Sequence, residues 1–228
     1  MSLRPTPFAP DEWFHCFNRG VDKRTVFARP NDYERFLMLL YACNSKEPIH
    51  ISNIYQGRTL VDIVEAVPKR KLLVDIGVYC LMPSHHHLLL RERSYGGITS
   101  FMRKLGTGYT MYFNKKYERT GALFQGKFKA KLMTTDQYLT RATNYIHANP
   151  AELIAPKWRN GIIGDEKKVR KFLSEYRYSS LPDYLDSRPN NPLLDKDALL
   201  ASIESPPSLK SLIDEARIYA RQEESDFY

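Results

Sequence analysis

The sequence has little of what membrane-spanning, secreted and zinc-ribbon proteins require. No apolar run approaches the roughly 20 residues that span a bilayer. The N-terminal stretch MSLRPTPFAPDEWF has no apolar signal-peptide core. The three cysteines, Cys16, Cys43 and Cys80, are widely spaced and form no CxxC pair. An odd and dispersed set argues against a disulfide framework or a zinc ribbon. We therefore expect reduced thiols in a cytoplasmic protein.

Histidine is also scarce, but its distribution is uneven. Of six histidines in 228 residues, three are consecutive, His85 to His87, in the strand-like run VDIGVYCLMPSHHHLLL. Successive side chains of a strand point to opposite faces, so His85 and His87 project together and His86 points the other way. Two neighbouring imidazoles form half of a site for a divalent metal. A polar patch or a tag remnant is the alternative, and the apolar flanks argue against a tag.

Acidic side chains are almost absent from one segment of this basic chain, whose net charge is +8. Between Arg103 and Lys131, Glu118 is the single acid, and six tyrosines and phenylalanines are interspersed. Cations that meet phosphates, next to rings that stack on bases, are typical of nucleic-acid binding. A solvated basic face over buried aromatics is the alternative. The candidate DNA-binding residues are Arg19, Arg103, Lys104, Lys115, Lys116, Arg119, Lys127, Lys129 and Lys131.

Hydrophobic periodicity predicts an alternation of strands and helices. Predicted strands cover 13–18, 73–82, 85–92 and 123–133, with Pro83-Ser84 as a hairpin turn between the second and the third. Predicted helices begin at Asn31 or Asp32, at Thr99 or Ser100, and after a Thr134–Gln137 capping box. Pro150 should end the last of these helices.

The helix that ends before Pro150 carries polar side chains along one face. Arg141, Tyr145 and Asn149 are four residues apart and therefore neighbours on its surface. A guanidinium, a phenol and a carboxamide in a row can form a reactive edge. Because the chain has 15 tyrosines, a packing role for Tyr145 is the stronger interpretation from this pattern alone. His147 lies off this face and is predicted to be structural.

Four segments, in order and in register, carry a resemblance to a known family. They are FHCFNRGVDKRTVF, CLMPSHHHLLL, LGTGYTMYFNKKYERTGALFQGKFKAKLM and YLTRATNYIHANP, and YRYSSLPDYL follows them. Together they resemble the single-tyrosine HUH transposases (IS200-like), and among these the REP-associated tyrosine transposases. The resemblance covers about residues 8–185.

The resemblance implies a fold, a site and a reaction. The fold is α+β, a ferredoxin-like antiparallel sheet with helices packed on it. The metal ligands would be His85, His87 and Asn149, and the nucleophile would be Tyr145. Attack of the tyrosine on a DNA phosphate would give a phosphotyrosine intermediate and a free 3′ hydroxyl. Imidazoles alone favour zinc, nickel or copper. The resemblance instead implies Mg²⁺ or Mn²⁺, which phosphate and carboxamide oxygens suit.

Two positions depart from the family pattern. His86 stands where a bulky apolar residue is usual, and Ser84 stands where asparagine is more frequent. The resemblance implies single-stranded DNA with hairpin or palindromic repeat structure as the partner, and leaves monomer or homodimer open. Two other functions remain as alternatives. One is a domesticated protein that binds repeat DNA without cutting it, and the other is a zinc hydrolase of small substrates.

The C-terminal part is less informative. Residues 1–187 are predicted to form the nuclease domain and residues 188–228 an extension with a helix in LKSLIDEARIYARQ. We expect its apolar side chains to pack on the main domain. A second basic cluster, Lys167 to Lys171, either contacts DNA or is a solvated helix face.

Overall fold

A four-stranded antiparallel sheet forms the centre of the fold. The computed structural model describes residues 7–47, 60–66, 71–185, 187–188 and 190–222. The strands are β1 (Trp13–Arg19), β2 (Val74–Met82), β3 (His85–Glu92) and β4 (Lys129–Leu132), in the spatial order β2-β3-β1-β4. Every pairing in the sheet is antiparallel.

Eight α-helices accompany the strands within the described residues. They are α1 (Pro30–Cys43), α2 (Leu60–Ala66), α3 (Gly97–Lys116), α4 (Asp136–Ala148), α5 (Glu166–Glu175), α6 (Leu181–Tyr184), α7 (Lys196–Leu200) and α8 (Leu212–Gln222). Helix α1 connects β1 to β2, and α3 connects β3 to β4. This order of elements and strands is that of a ferredoxin-like sheet, so the predicted α+β fold is confirmed. Among the described helices, none has the length and hydrophobicity of a membrane span.

The sheet separates two hydrophobic clusters. Alternation along β3 places Leu88 and Leu90 in the cluster of α1 and α3, and Leu89 in the cluster of α4, α5 and α8. The same alternation places His86 against Phe36 of α1, with 4.9 Å between ring centroids. His85 and His87 lie on the other face, with α4. The predicted separation of the three histidines is therefore confirmed.

Four predicted boundaries were wrong, each for a local reason. Helix α1 begins at Pro30, before the predicted Asn31 or Asp32, and the Asp32 carboxylate accepts the backbone N–H of Arg29 at 2.9 Å. Strand β4 is four residues long rather than covering 123–133, because Gly126 has a φ of 63° and Phe124 makes one isolated bridge to Gly20. Thr135 rather than Thr134 caps α4, and its side chain accepts the backbone N–H of Tyr138 at 3.1 Å. Helix α3 begins at Gly97, before the predicted Thr99 or Ser100.

The early start of α3 has its cause outside the helix sequence. The buried carboxylate of Glu92, at the end of β3, accepts the backbone N–H groups of Gly97 at 3.1 Å and Ile98 at 2.8 Å. These are N–H groups that a helix leaves without internal partners, and a negative charge there is favourable. Gly96, with a φ of 78°, makes the turn that brings the chain to this carboxylate.

The predicted packing of the C-terminal helix is confirmed. Leu212, Ile213, Ala216 and Tyr219 of α8 are fully buried in the same hydrophobic cluster as Tyr145 of α4. An ion pair between Arg141 and Glu215, 3.3 Å long, also links α4 to α8. Arg141 therefore contacts α8 and does not line the pocket that contains Tyr145. Cys16, Cys43 and Cys80 are buried and have free thiols, as expected.

Candidate functional site

A small pocket of about 110 Å³ lies at the end of β1 and β3, on the face of the sheet that α4 covers. It brings together residues from distant parts of the chain. Its lining consists of Phe17, Asn18, Arg19, His85, His87, Gln125, Lys129, Tyr145, Glu152 and Arg159. Thus His85, His87 and Tyr145, which the sequence resemblance groups together, share one pocket.

His85 enters the pocket from the first position of β3. Its Nδ1 lies 3.0 Å from the hydroxyl of Ser84. Burial lowers the pKa of His85 to about 3, and the charges of Arg19 and Arg159 act in the same direction; a hydrogen bond with Asn149 acts against them. The ring is therefore neutral at physiological pH, the state in which an imidazole binds a metal.

His87 is held by a second, fully buried histidine on the neighbouring strand. Nε2 of His15 lies 2.8 Å from Nδ1 of His87, and Nδ1 of His15 lies 3.0 Å from the hydroxyl of Tyr219. Burial, with Lys131 nearby, lowers the pKa of His15 to about 3. Burial, with His15 and His85 nearby, also lowers the pKa of His87 well below its usual value. Both rings are thus neutral, and each carries one N–H donor and one acceptor nitrogen.

The chain of hydrogen bonds from Tyr219 to His87 has two possible directions. If the Tyr219 hydroxyl accepts from His15, then His15 accepts from Nδ1–H of His87, and Nε2 of His87 carries the lone pair that a metal needs. If the hydroxyl donates instead, the proton of His87 is on Nε2, and that nitrogen cannot be a ligand. A partner of this kind on a ligating histidine fixes its tautomer and ring orientation.

Tyr145 lies in the third turn of α4, with 1% of its surface exposed. Its ring centroid is 5.9 Å from that of His87 and 5.0 Å from that of Tyr219. The guanidinium carbon of Arg159 lies 5.7 Å from the centre of the Tyr145 ring. The phenol is thus enclosed by an imidazole, a second phenol and a cation.

Asn149 is fixed where α4 gives way to a 3₁₀ turn, Asn149–Leu153. Its Nδ2 donates to the backbone oxygen of Tyr145 at 2.8 Å, and its Oδ1 accepts from Arg159 at 3.1 Å. Arg159 also donates to the carboxylate of Glu152 at 2.9 Å. The Asn149 side chain is fully buried. These bonds hold the carboxamide beside His85.

The donor set of the pocket suits a divalent cation held partly by protein and partly by substrate. Within the described residues, no cluster of three or more His, Cys, Asp or Glu side chains could hold a metal ion by itself. Two neutral imidazoles, His85 and His87, line the pocket. Asn149 is not among its lining residues; its oxygen accepts from Arg159, and its side chain is hydrogen-bonded to His85. An ion held by so few protein ligands keeps positions for water and for a phosphate oxygen, as Mg²⁺ commonly does.

The predicted DNA-binding residues fall into separate locations. Arg19 and Lys129 line the pocket. Arg103 and Lys127 line a groove that also contains His86. Lys115 is exposed. The others have contacts within the protein: Lys116 with Asp32, Lys104 with the Ser45 carbonyl, Arg119 with Asn114, and Lys131 with His15, whose pKa its charge lowers.

Several residues of the site were not predicted from the sequence. They are the pocket-lining Phe17, Asn18, Gln125, Glu152 and Arg159, together with His15 and Tyr219 behind the pocket. His15 had a usable signal, because it shares the alternation of Trp13 and Phe17 in β1 and is a histidine where an apolar side chain would be expected. Arg159 and Tyr219 had none. Their contacts depend on how the segment after Pro150 and helix α8 fold back onto α4.

The comparison with protein-family models agrees with the family resemblance. Residues 44–149 match the family model described as "Transposase IS200 like". A solved structure titled "Structure of the REP associates tyrosine transposase bound to a REP hairpin" aligns with 91% of this chain and 99% of its own, at 13% identity and a TM-score of 0.47. Among curated proteins, none matches the sequence.

Proposed function

We propose that this chain, whose residues 44–149 match the IS200-like transposase family, nicks and rejoins single-stranded DNA through a covalent bond to Tyr145. The observation that carries the proposal is the shared pocket of Tyr145, His85 and His87. A family nucleophile and its two metal-ligand positions come from β3 and α4, which are far apart in the sequence. That these three side chains line one pocket supports a catalytic role for them rather than a packing role alone.

The chemistry requires the phosphorus to be made electrophilic, because a tyrosine hydroxyl has a pKa near 10 and is a weak nucleophile at neutral pH. A divalent ion bound by His85, His87 and Asn149 would polarise the phosphate and neutralise its developing charge. The Tyr145 oxygen forms a bond to phosphorus, and the bond from phosphorus to the DNA 3′ oxygen breaks. The phenol loses its proton and the 3′ oxygen gains one.

The cations of the pocket have complementary tasks. Arg19 and Lys129 attract the phosphates on either side of the scissile bond, since the strand carries one negative charge per nucleotide. Arg159 contacts the Tyr145 ring, Asn149 and Glu152, and therefore orients the nucleophile and the carboxamide together. Rejoining is the reverse reaction, in which a 3′ hydroxyl displaces the tyrosine.

The proposed cofactor is Mg²⁺ or Mn²⁺ rather than zinc. A carboxamide oxygen and a phosphate oxygen are hard ligands, and the protein offers too few donors for a closed tetrahedral zinc site. A zinc hydrolase of small substrates would not need the cations that surround this pocket. The metal should therefore bind weakly and more tightly once DNA is present.

The proposed substrate is single-stranded DNA with a hairpin or palindromic repeat, acted on by a monomer or a homodimer. Residues 1–187 would form the nuclease domain. The extension, 188–228, would support the pocket through Tyr219 of α8. Three buried free thiols suit a reducing compartment such as the cytoplasm.

A protein that binds repeat DNA without cutting it is the second candidate. The observation in its favour is that Tyr145 is only 1% exposed, so a phosphate reaches its hydroxyl only through the pocket. Only the nicking enzyme, and not the binding-only protein, forms a covalent protein–DNA adduct. Labelled hairpin DNA incubated with the protein and Mg²⁺ or Mn²⁺ should give an adduct that survives denaturation.

A matched pair of variants completes this experiment. Tyr145→Phe should abolish the adduct and retain DNA binding. Tyr138→Phe makes the same change on the same helix, at a residue outside the pocket lining, and should retain both. Tight binding by the wild type without adduct under either ion would establish the binding-only function.

A further inference from the structure

His86 has an unusual environment for a buried histidine. It is 3% exposed, and neither ring nitrogen has a hydrogen-bond partner among the described residues. Its ring packs against Phe36 at 4.9 Å and Phe124 at 5.4 Å between centroids. Polar groups that are buried without partners are rare and costly, so such a group calls for a functional explanation.

The ring nitrogens of His86 define what it can recognise, because neither has a hydrogen-bond partner among the described residues. An imidazole has ring nitrogens that donate or accept a hydrogen bond, and because the two point in diverging directions, only one of them meets a given partner. The edge of a nucleobase offers donors and acceptors for such a single hydrogen bond.

His86 lies at the wall of a large groove on the opposite side of the sheet from the Tyr145 pocket. The groove has a volume of about 870 Å³ and runs between α3 and the segment 122–128. Met102, Phe124 and Phe128 make it apolar, and Arg103 and Lys127 add positive charge. A volume of this size accommodates a small planar ligand.

The groove and the Tyr145 pocket are neighbours around the end of the sheet. Asn18 lines both, and it is paired with His86 across β1 and β3. The segment 125–129 also contributes to both: Gln125 and Lys129 line the pocket, and Lys127 lies in the groove. A strand that leaves the pocket past Asn18 therefore enters the groove directly.

We propose that the groove binds one unpaired base of the DNA strand held in the Tyr145 pocket, with His86 hydrogen-bonding to the edge of that base. Phe124 and Phe128 supply the apolar contact, and Arg103 and Lys127 contact flanking phosphates. An apolar peptide would leave the imidazole and both cations unused. The inference rests on the proposed function, because it takes the strand from the same site.

A binding cycle tests this inference without relying on cleavage. The protein is Tyr145→Phe, and the probe is a fluorescent single-stranded oligonucleotide in which one abasic position is moved along the sequence. At one position near the scissile bond, loss of the base should weaken binding about tenfold, from lost stacking and hydrogen bonding. With His86→Leu added, the intact oligonucleotide should bind correspondingly more weakly, and the same abasic change should have little further effect.

Folding of the variants is checked independently. His86→Leu removes two nitrogens without partners, so its thermal midpoint should equal or exceed that of the parent. Lys127→Ala changes an exposed groove residue and should weaken binding of the intact oligonucleotide more than Lys115→Ala, an exposed change outside the groove.

The outcomes separate this inference from the proposed function. One outcome is that the losses of binding affinity caused by the abasic position and by His86→Leu simply add at every position of the oligonucleotide. The groove then does not bind a base, and this conclusion holds even if wild-type protein forms the adduct. If the effects fail to add at one position but wild-type protein forms no adduct, the groove inference stands and catalysis fails. If no oligonucleotide binds, both are overturned.

Discussion

Removing one oxygen atom from α8 should weaken metal binding in a pocket that this helix does not line. Tyr219→Phe deletes the hydroxyl that lies 3.0 Å from Nδ1 of His15, while the ring contacts with Tyr145 and Tyr138 are kept. His15 is fully buried, so its nitrogen loses a partner where water cannot replace it. The expected cost is about 1–3 kcal/mol of stability.

The effect on the metal follows from the tautomer of His87. Without the hydroxyl, the N–H on Nδ1 of His15 loses the acceptor that it has when His87 carries its proton on Nδ1, so this arrangement loses a hydrogen bond. Losing a partner of this kind typically weakens metal binding about 10–100-fold. Calorimetric titration with Mn²⁺ in the presence of hairpin DNA measures the affinity, and ¹⁵N NMR of the imidazoles reports the tautomer.

Tyr138→Phe is the matched control, because it makes the same change beside the same ring and should alter neither readout. An unchanged Mn²⁺ affinity in Tyr219→Phe, together with an unchanged His87 tautomer, would refute the reasoning. The hydrogen-bond chain would then serve packing alone.

Three further predictions concern single charges. Asp32→Asn should cost about 2–4 kcal/mol, measured by urea unfolding. Burial alone would raise the pKa of Asp32, but hydrogen bonds from Lys116 and Tyr117, with others, outweigh it and lower the pKa. The carboxylate therefore stabilises the fold fully above pH ~4, and the stability difference between wild type and this variant should shrink as the pH falls below that value. Lys129→Ala should weaken DNA binding and reduce the salt dependence of log K by about 1, seen in anisotropy titrations; an unchanged slope would place Lys129 away from phosphates. Arg159→Ala should slow adduct formation about 10²-fold or more with DNA affinity within a few-fold, and equal losses in both would contradict a role in orienting Tyr145.

Local sequence patterns predicted much of the fold, because strand alternation and helix boundaries depend mainly on residues that are close together in the sequence. The alternation in β3 correctly assigned His85 and His87 to one face and His86 to the other. Helix α4 ends at Ala148, before Pro150 as predicted, but the predicted reason was wrong: Asn149 keeps helical φ and ψ of −50° and −40°, and a 3₁₀ turn continues to Leu153. Where a boundary was wrong, a nearby group decided it: the carboxylate of Glu92, five residues before Gly97, caps α3 from the end of β3.

The site was predictable only where chemistry and family pattern coincide. His85, His87 and Tyr145 carry recognisable residue types at recognisable positions. His15 and Tyr219 act through contacts that join β1 to β3 and α8, separated by 204 residues in the second case. Such contacts depend on tertiary packing: the alternation in β1 could have singled out His15, but the sequence has no signal for its partner Tyr219.

The central claim is a covalent bond between Tyr145 and DNA, and mass spectrometry of the trapped product tests it most directly. Wild-type protein is incubated with hairpin DNA and Mn²⁺, denatured and digested with protease and nuclease. The account predicts a nucleotide phosphate on the peptide that contains Tyr145, and on that tyrosine alone. A nucleotide attached to a different residue, or no attachment despite tight binding, would contradict it.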